Sequence, residues 1–306
     1  MSGEAGRQGY HWVRDRWSVR AGEWVLYALA RGFRILTWPV GPWTLTGALS
    51  PLARLIALAV PGFRRRAEAN LALVWPGRPE EERRAILAEA GRSFLRLMVE
   101  YAQIEKLRRD AEIRTEGIGH LREALASGRG AMIVTAHYGN WEAIRAACAR
   151  AGIECGILYR PFNNRYLNAY THRTIDALGR PVLEKGPAGL RECIAHLKRG
   201  GVILLLVDQR NSGAPFLPFL GHPAETMTVS AAVAARCGAA LIPAVARRDA
   251  GARRFEVRFE REVTEDEPEA AMRAVNARIS AWIEEAPGQW FWFHRRWRST
   301  VRSRPR

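Results

Sequence analysis

The chain has 306 residues, 48% hydrophobic and 25% charged, enough to bury one large core and too apolar for a disordered chain. Forty-seven basic residues against 31 acidic ones give a formal charge of +16, which suits an anionic lipid surface, an acidic partner or nucleic acid. The sequence carries no recognition-helix signature, zinc-finger spacing or aromatic RNA-binding motif, which sets nucleic acid aside.

Four cysteines, Cys148, Cys155, Cys193 and Cys237, show no CxxC pair and no zinc spacing. They fit thiols used as small core residues in a reducing compartment. In chain order, residues 1–22 are polar, read as loose, and show no secretory h-region or cleavage site. Residues 23–60 are apolar and helical, ending at Pro61-Gly62. A spanning helix needs about 20 apolar residues, and Arg31, Arg34, Pro51 and Arg54 interrupt every such run. Trp12, Trp17, Trp24, Trp38 and Trp43 lie among these arginines. That mixture predicts contact with a membrane–water interface. The alternatives are an amphipathic helix packed on the chain's own core, or a single tilted span. Two regions follow: a membrane-associated segment over 1–60 and a catalytic domain over 61–306.

Residues 79–109 read as one helix, with Pro79 at its start and Glu80-Glu81-Glu82 in the first turn. From residue 114 strands and helices alternate. Strands are predicted at 131–136, 153–158, 202–207 and 241–246, with 255–260 resembling an edge strand. Helices fall near 118–127, 141–151, 164–178, 188–199, 228–237 and 268–286. The pattern predicts an α/β fold, a mostly parallel sheet flanked by helices. The aromatic-basic run QWFWFHRRWR follows over 289–298.

The stretch AMIVTAHYGNWE places His137 just past a buried strand, at the edge where open α/β sheets bind ligands. Gly139 and Asn140 read as a turn, with Asn140 as a helix N-cap and Glu142 in the first helical turn. A neutral imidazole can take a proton from an attacking hydroxyl, provided a carboxylate on its other nitrogen fixes the tautomer. Glu142 is the candidate for that carboxylate; the alternative is a structural histidine at a strand end. Arg160, in the YRPFNN loop after the next strand, could hold a phosphate or carboxylate through a fork of hydrogen bonds; the alternative is a solvated loop charge. Asp208, Gln209 and Arg210 form a polar trio after the strand GVILLLV. The loop PFLPFLGHPAETMT, 215–228, could wall a hydrocarbon channel or pack as an ordinary loop. No ligand set stands at metal spacing, so no metal is expected.

Taken in order, AHYGNWE, YRPFNN, VDQR, FLPFLGHPAET and QWFWFHRRW, with RRRAEANLALVWP upstream, resemble the bacterial lipid A biosynthesis acyltransferases. These are the lauroyl and myristoyl group of the lysophospholipid acyltransferase superfamily. The resemblance implies a glycerolphosphate-acyltransferase-like fold and an HX4E pair, His137 as base and Glu142 as partner. It implies substrate contacts at Arg160, Asn163, Asp208, Gln209 and Arg210. It implies no cofactor beyond an acyl thioester of acyl carrier protein or coenzyme A. The acceptor would be a lipid A precursor and the location the cytoplasmic face of the inner membrane. Backbone amides at Gly139-Asn140 are the expected oxyanion donors. Remaining alternatives are another glycolipid or lysophospholipid acceptor, and a non-catalytic basic protein that binds membranes or nucleic acid.

Overall fold

The computed structural model describes residues 17–49, 61–249 and 253–297. Trp12, Pro51 and Arg54 lie outside these residues. Seven strands form one sheet in the order β1-β9-β8-β2-β5-β3-β4, and a separate hairpin pairs β6 with β7. The strands are β1 (Glu112–Glu116), β2 (Ala131–Thr135), β3 (Cys155–Tyr159), β4 (Val182–Glu184), β5 (Val202–Leu206), β6 (Phe216–Phe219), β7 (His222–Glu225), β8 (Ala240–Arg248) and β9 (Arg254–Phe259). Every pairing in the large sheet is parallel except β8 with β9.

The helices are α1 (Trp17–Thr37), α2 (Pro61–Val74), α3 (Glu80–Ala102), α4 (Ile104–Asp110), α5 (Ile118–Ala126), α6 (Glu142–Arg150), α7 (Arg165–Asp176), α8 (Pro187–Lys198), α9 (Val229–Cys237) and α10 (Pro268–Glu285). Residues 42–49 are also helical. Apolar clusters fill both faces of the sheet, which explains why β2 (AMIVT) and β5 (VILLL) are almost continuously apolar.

Several expectations change. The helix expected over 79–109 breaks at Gln103, whose side chain donates to the Thr37 carbonyl oxygen at 3.1 Å and so ties down α1. Residues 17–22, expected to be loose, are the start of α1. Strand β9 is not an edge: β1 covers it, and β1 was missed because EIRTE has one apolar residue and is half exposed. Three-residue β4 was also missed. The expected channel loop is the β6–β7 hairpin, with Leu217, Phe219, Leu220 and Ala224 buried in the core.

Candidate active site

The register of the two central strands builds the site. Thr135 of β2 pairs with Leu206 of β5. Two residues on, the chains bring His137 and Asp208 side by side at the C-terminal edge of the sheet. Asp208 Oδ1 lies 2.7 Å from His137 Nδ1, and Oδ2 accepts from the His137 backbone N–H at 3.0 Å. Trp290 Nε1 donates to the same Oδ2 at 2.8 Å. With Nδ1 donating to Asp208, the neutral ring keeps its free lone pair on Nε2. Asp208 is fully buried, which by itself would raise its pKa. The hydrogen bond from His137 and the positive charge that ring, and then His294, can take up, with the Trp290 hydrogen bond, outweigh that and hold the carboxyl well below the usual carboxylate range.

Glu142 does not make the expected bond. Its Oε1 accepts from Tyr101 Oη at 2.7 Å and its Oε2 pairs with Arg145 at 2.9 Å. Both Glu142 and Arg145 are fully buried, and Arg145 also donates to the carbonyls of Cys155, Ile175 and Gly179. The first turn of α6 therefore points Glu142 into the protein, where it anchors the helix. It reaches His137 only indirectly: Trp141 donates to Tyr101 Oη at 2.7 Å, and its ring packs 5.1 Å from the imidazole. The N-cap position of α6 falls on Trp141 rather than Asn140; Asn140, one residue before it, accepts through Oδ1 from Glu142 N at 3.0 Å, while its Nδ2 donates to buried Glu100.

The turn that carries His137 is clamped. Gly139 has φ +54°, and a Cβ there would lie 2.1 Å from the Ala246 carbonyl oxygen, so only glycine fits. Its N–H donates to the Gln289 carbonyl at 3.0 Å, which withdraws one of the two expected oxyanion donors. Phe291 N donates to the His137 carbonyl at 2.9 Å, and Gln289 exchanges two side-chain hydrogen bonds with the Arg248 backbone. Asn70, from the upstream motif, donates to the Trp292 and His294 carbonyls, each at 2.8 Å.

On the open side, Gln209 Nε2 lies 3.2 Å from His137 Nε2 and 3.4 Å from His294 Nε2. An amide N–H is thus placed to cap the lone pair of each imidazole. The His294 ring stacks edge-on to His137 at 4.8 Å. Burial first, then the neighbouring His137, pushes its pKa from 6.5 down to about 3, so it is a neutral acceptor at neutral pH. Sequence reasoning missed both His294 and the pairing of Asp208 with His137. The pairing signal was present, since each residue lies two steps past an apolar strand. Together His137, Asp208 and His294 place potential metal-ligand atoms within 4.8 Å of one another. Sequence spacing had not revealed that set, although both Asp208 oxygens are already engaged as above.

The other candidates separate. Arg160 is exposed just past β3, and Asn163 is exposed before α7, where Asn164 is the cap. Arg210 is tied to Glu225 and Ser212, so it braces the 209–225 loop. An apolar cleft of about 350 Å³, its open mouth included, begins at His137 and runs between α3 (Ala90, Ser93, Phe94, Leu97) and Trp141, Trp290 and Phe291.

A sequence profile described as bacterial lipid A biosynthesis acyltransferase matches residues 14–299. The chain belongs to this family. It is 28% identical over 264 residues to the lipid A biosynthesis palmitoleoyltransferase of Escherichia coli (strain K12), covering 80% of this chain and 83% of that protein. It is 26% identical over 258 residues to the lipid A biosynthesis lauroyltransferase of the same organism, covering 79% and 82%. A lipid A biosynthesis acyltransferase of Haemophilus influenzae matches at 23% over 236 residues, 75% and 74% of the two chains. The protein is accordingly an acyltransferase of lipid A biosynthesis, and no helix among its described residues is long and apolar enough to cross a membrane.

Proposed function

We propose that this acyltransferase moves a fatty acyl chain from an acyl carrier protein thioester to a hydroxyl of a lipid A precursor, with His137 as general base and Asp208 as its orienting carboxylate. The observation that carries this reading is the 2.7 Å contact of His137 Nδ1 with Asp208, which leaves Nε2 engaged only by the exposed Gln209 amide, on a ring that also lines the apolar cleft. The acceptor hydroxyl displaces the Gln209 amide from Nε2 and gives up its proton there as its oxygen attacks the thioester carbonyl. Asp208 stabilises the imidazolium that forms. When the tetrahedral intermediate collapses, the carbon–sulfur bond breaks and the departing thiolate takes the proton back from Nε2. The cleft between α3 and Phe291 suits the acyl chain, since Phe94, Leu97 and Trp290 line it.

Membrane attachment is assigned to α1. Its inward face is polar: Glu23 pairs with Arg165, Arg34 with Glu105 and Tyr170. Trp17, Trp24, Val25, Leu26, Leu29, Phe33, Ile35 and Leu36 are all exposed. Such an outward apolar face fits the interfacial layer of a bilayer. At the cytoplasmic face of the inner membrane it would meet both a lipid acceptor and a soluble carrier. The +16 charge would attract an acidic carrier and a polyanionic acceptor.

The test is incubation of the protein and of His137→Ala with acyl carrier protein charged with mixed fatty acids and a tetra-acylated lipid A precursor, read by mass spectrometry. One added acyl mass, absent with the variant, is expected. Turnover retained within a few fold by His137→Ala would overturn the general-base assignment. Donor hydrolysis without transfer would redirect the acceptor to another glycolipid or to a lysophospholipid.

A further inference from the structure

We propose that the open side of the active site is an inhibitory binding site for zinc or a cation of similar chemistry, held by His137 Nε2, His294 Nε2 and the side-chain oxygen of Gln209. The site rests on geometry alone; its inhibitory effect rests on the reading of His137 as general base.

Three segments distant in sequence meet at one point. His137 follows β2, Gln209 follows β5 and His294 belongs to the C-terminal run. Gln209 Nε2 stands 3.2 Å from His137 Nε2 and 3.4 Å from His294 Nε2, so both ring nitrogens border the same small volume. Paired imidazoles suit zinc, cobalt, nickel or copper. Here an amide nitrogen fills the point between them. Half a turn about the last torsion of Gln209 replaces that nitrogen by the amide oxygen, and a donor becomes a third acceptor. This torsion is soft, whereas the backbone is held by Arg296, which donates to the Gln209 carbonyl at 3.3 Å. Zinc–nitrogen bonds are about 2.0–2.1 Å long, so each side chain closes on the ion by about 1 Å.

Asp208 is not a ligand, although it lies in the same group of ligand-type side chains. Its Oδ1 faces His137 Nδ1 at 2.7 Å, and its Oδ2 accepts from the His137 backbone and from Trp290. A carboxylate on the far nitrogen of a ligating histidine fixes the tautomer that leaves Nε2 free and strengthens that nitrogen as a ligand. The arrangement that readies the ring for a proton therefore readies it for a metal. With two nitrogen ligands and no carboxylate in direct contact, the set does not suit magnesium or calcium, which take oxygen ligands. Gln209 is exposed, so an ion enters from solvent and water completes its coordination. Once bound, the ion occupies the lone pair that would take the acceptor's proton.

Among the described residues no other three histidine, cysteine or acidic side chains bring ligand atoms together in this way, so one bound equivalent reports this site. The full-length protein, without a polyhistidine tag, is titrated with cobalt(II) and followed by the visible absorption of the low-coordinate ion. One equivalent should bind, zinc should displace it, and a large excess of magnesium should not. Asp208→Asn should weaken binding by about 10–100-fold, and His294→Phe should abolish the absorption. Gln209→Glu gives a His₂Glu set and should bind about tenfold more tightly or better, a gain that misfolding cannot imitate. No absorption, absorption retained by His294→Phe, or Gln209→Glu binding no more tightly than the native chain overturns the site. In the acyl-transfer assay, turnover should fall in step with the cobalt bound and return on chelation. Full turnover with the site loaded would overturn both the inhibition and His137 as the base, and leave the binding result standing.

Discussion

Helix α1 and the C-terminal run 289–297 are both rich in tryptophan and arginine, yet they occupy opposite environments. Trp290, Trp292 and Trp297 are at most 1% exposed, whereas Trp17 and Trp24 are 82% and 55% exposed. The C-terminal run is held by the sheet edge: Phe291 pairs with His137, Gln289 with Arg248, and Asn70 grips two of its carbonyls. One of its two arginines, Arg296, is buried and donates to the Glu225 carbonyl and Thr226 Oγ1. In α1 Glu23 and Arg34 face the protein while the large apolar side chains face out, and no residue of that helix is fully buried. Composition is thus shared, but backbone pairing decides which segment becomes core and which offers an apolar surface.

Substitutions can break this contrast. The largest expected effect lies where the C-terminal run meets the chemistry. Asp208→Asn should lower kcat by about 10²–10⁴-fold, because the imidazole loses its fixed tautomer, as single-turnover kinetics would show. Glu142→Gln should act on stability instead, costing about 3–5 kcal/mol in denaturant unfolding because Arg145 is left buried without its anion. The kcat of its folded fraction should stay within a few fold of wild type; a loss as large as that of Asp208→Asn would return the orienting role to Glu142.

Trp290→Phe keeps the ring and deletes the N–H to Asp208. A hydrogen bond to a charged group contributes about 1.5–3 kcal/mol, so a loss of that size is expected, divided between thermal stability and kcat. The paired change Leu29→Glu with Phe33→Glu should leave the melting temperature and turnover on a detergent-dispersed acceptor unaltered. It should weaken flotation with anionic vesicles by about 1.5–3 kcal/mol or more, the value of burying one such side chain. Unaltered vesicle binding would show that α1 is not the anchor.

The gentlest perturbation is pH. His294 has its pKa lowered from 6.5 to about 3 in the folded protein. Both states are neutral there above pH 6.5, so its contribution is complete above that value. As pH falls toward about 3 the unfolded chain gains the proton first, and stability should drop by up to about 1.4 kcal/mol per pH unit. His294→Phe should flatten this slope in urea unfolding measured between pH 6.5 and 4.5.

The sequence alone determined much of this molecule. Apolar runs at 131–136 and 202–207 read as buried strands of a mostly parallel sheet, and His137 and Asp208 were visible at their ends, where such sheets bind ligands. The ordered motifs specified the family. Tertiary structure decided which carboxylate lies against the histidine. Proximity in sequence favoured Glu142, but strand register sets Asp208 beside Nδ1, and the pitch of α6 turns Glu142 toward Arg145. It also decided that His294, 157 residues beyond His137, joins the site, because hydrogen bonding of the C-terminal run to the β2 turn has no local sequence signal. Strand β1 escaped notice for a related reason: an edge strand that is half in water needs no apolar run. Local pattern reports what each segment buries, whereas the partners of a polar side chain depend on register and on which distant segments share the sheet edge.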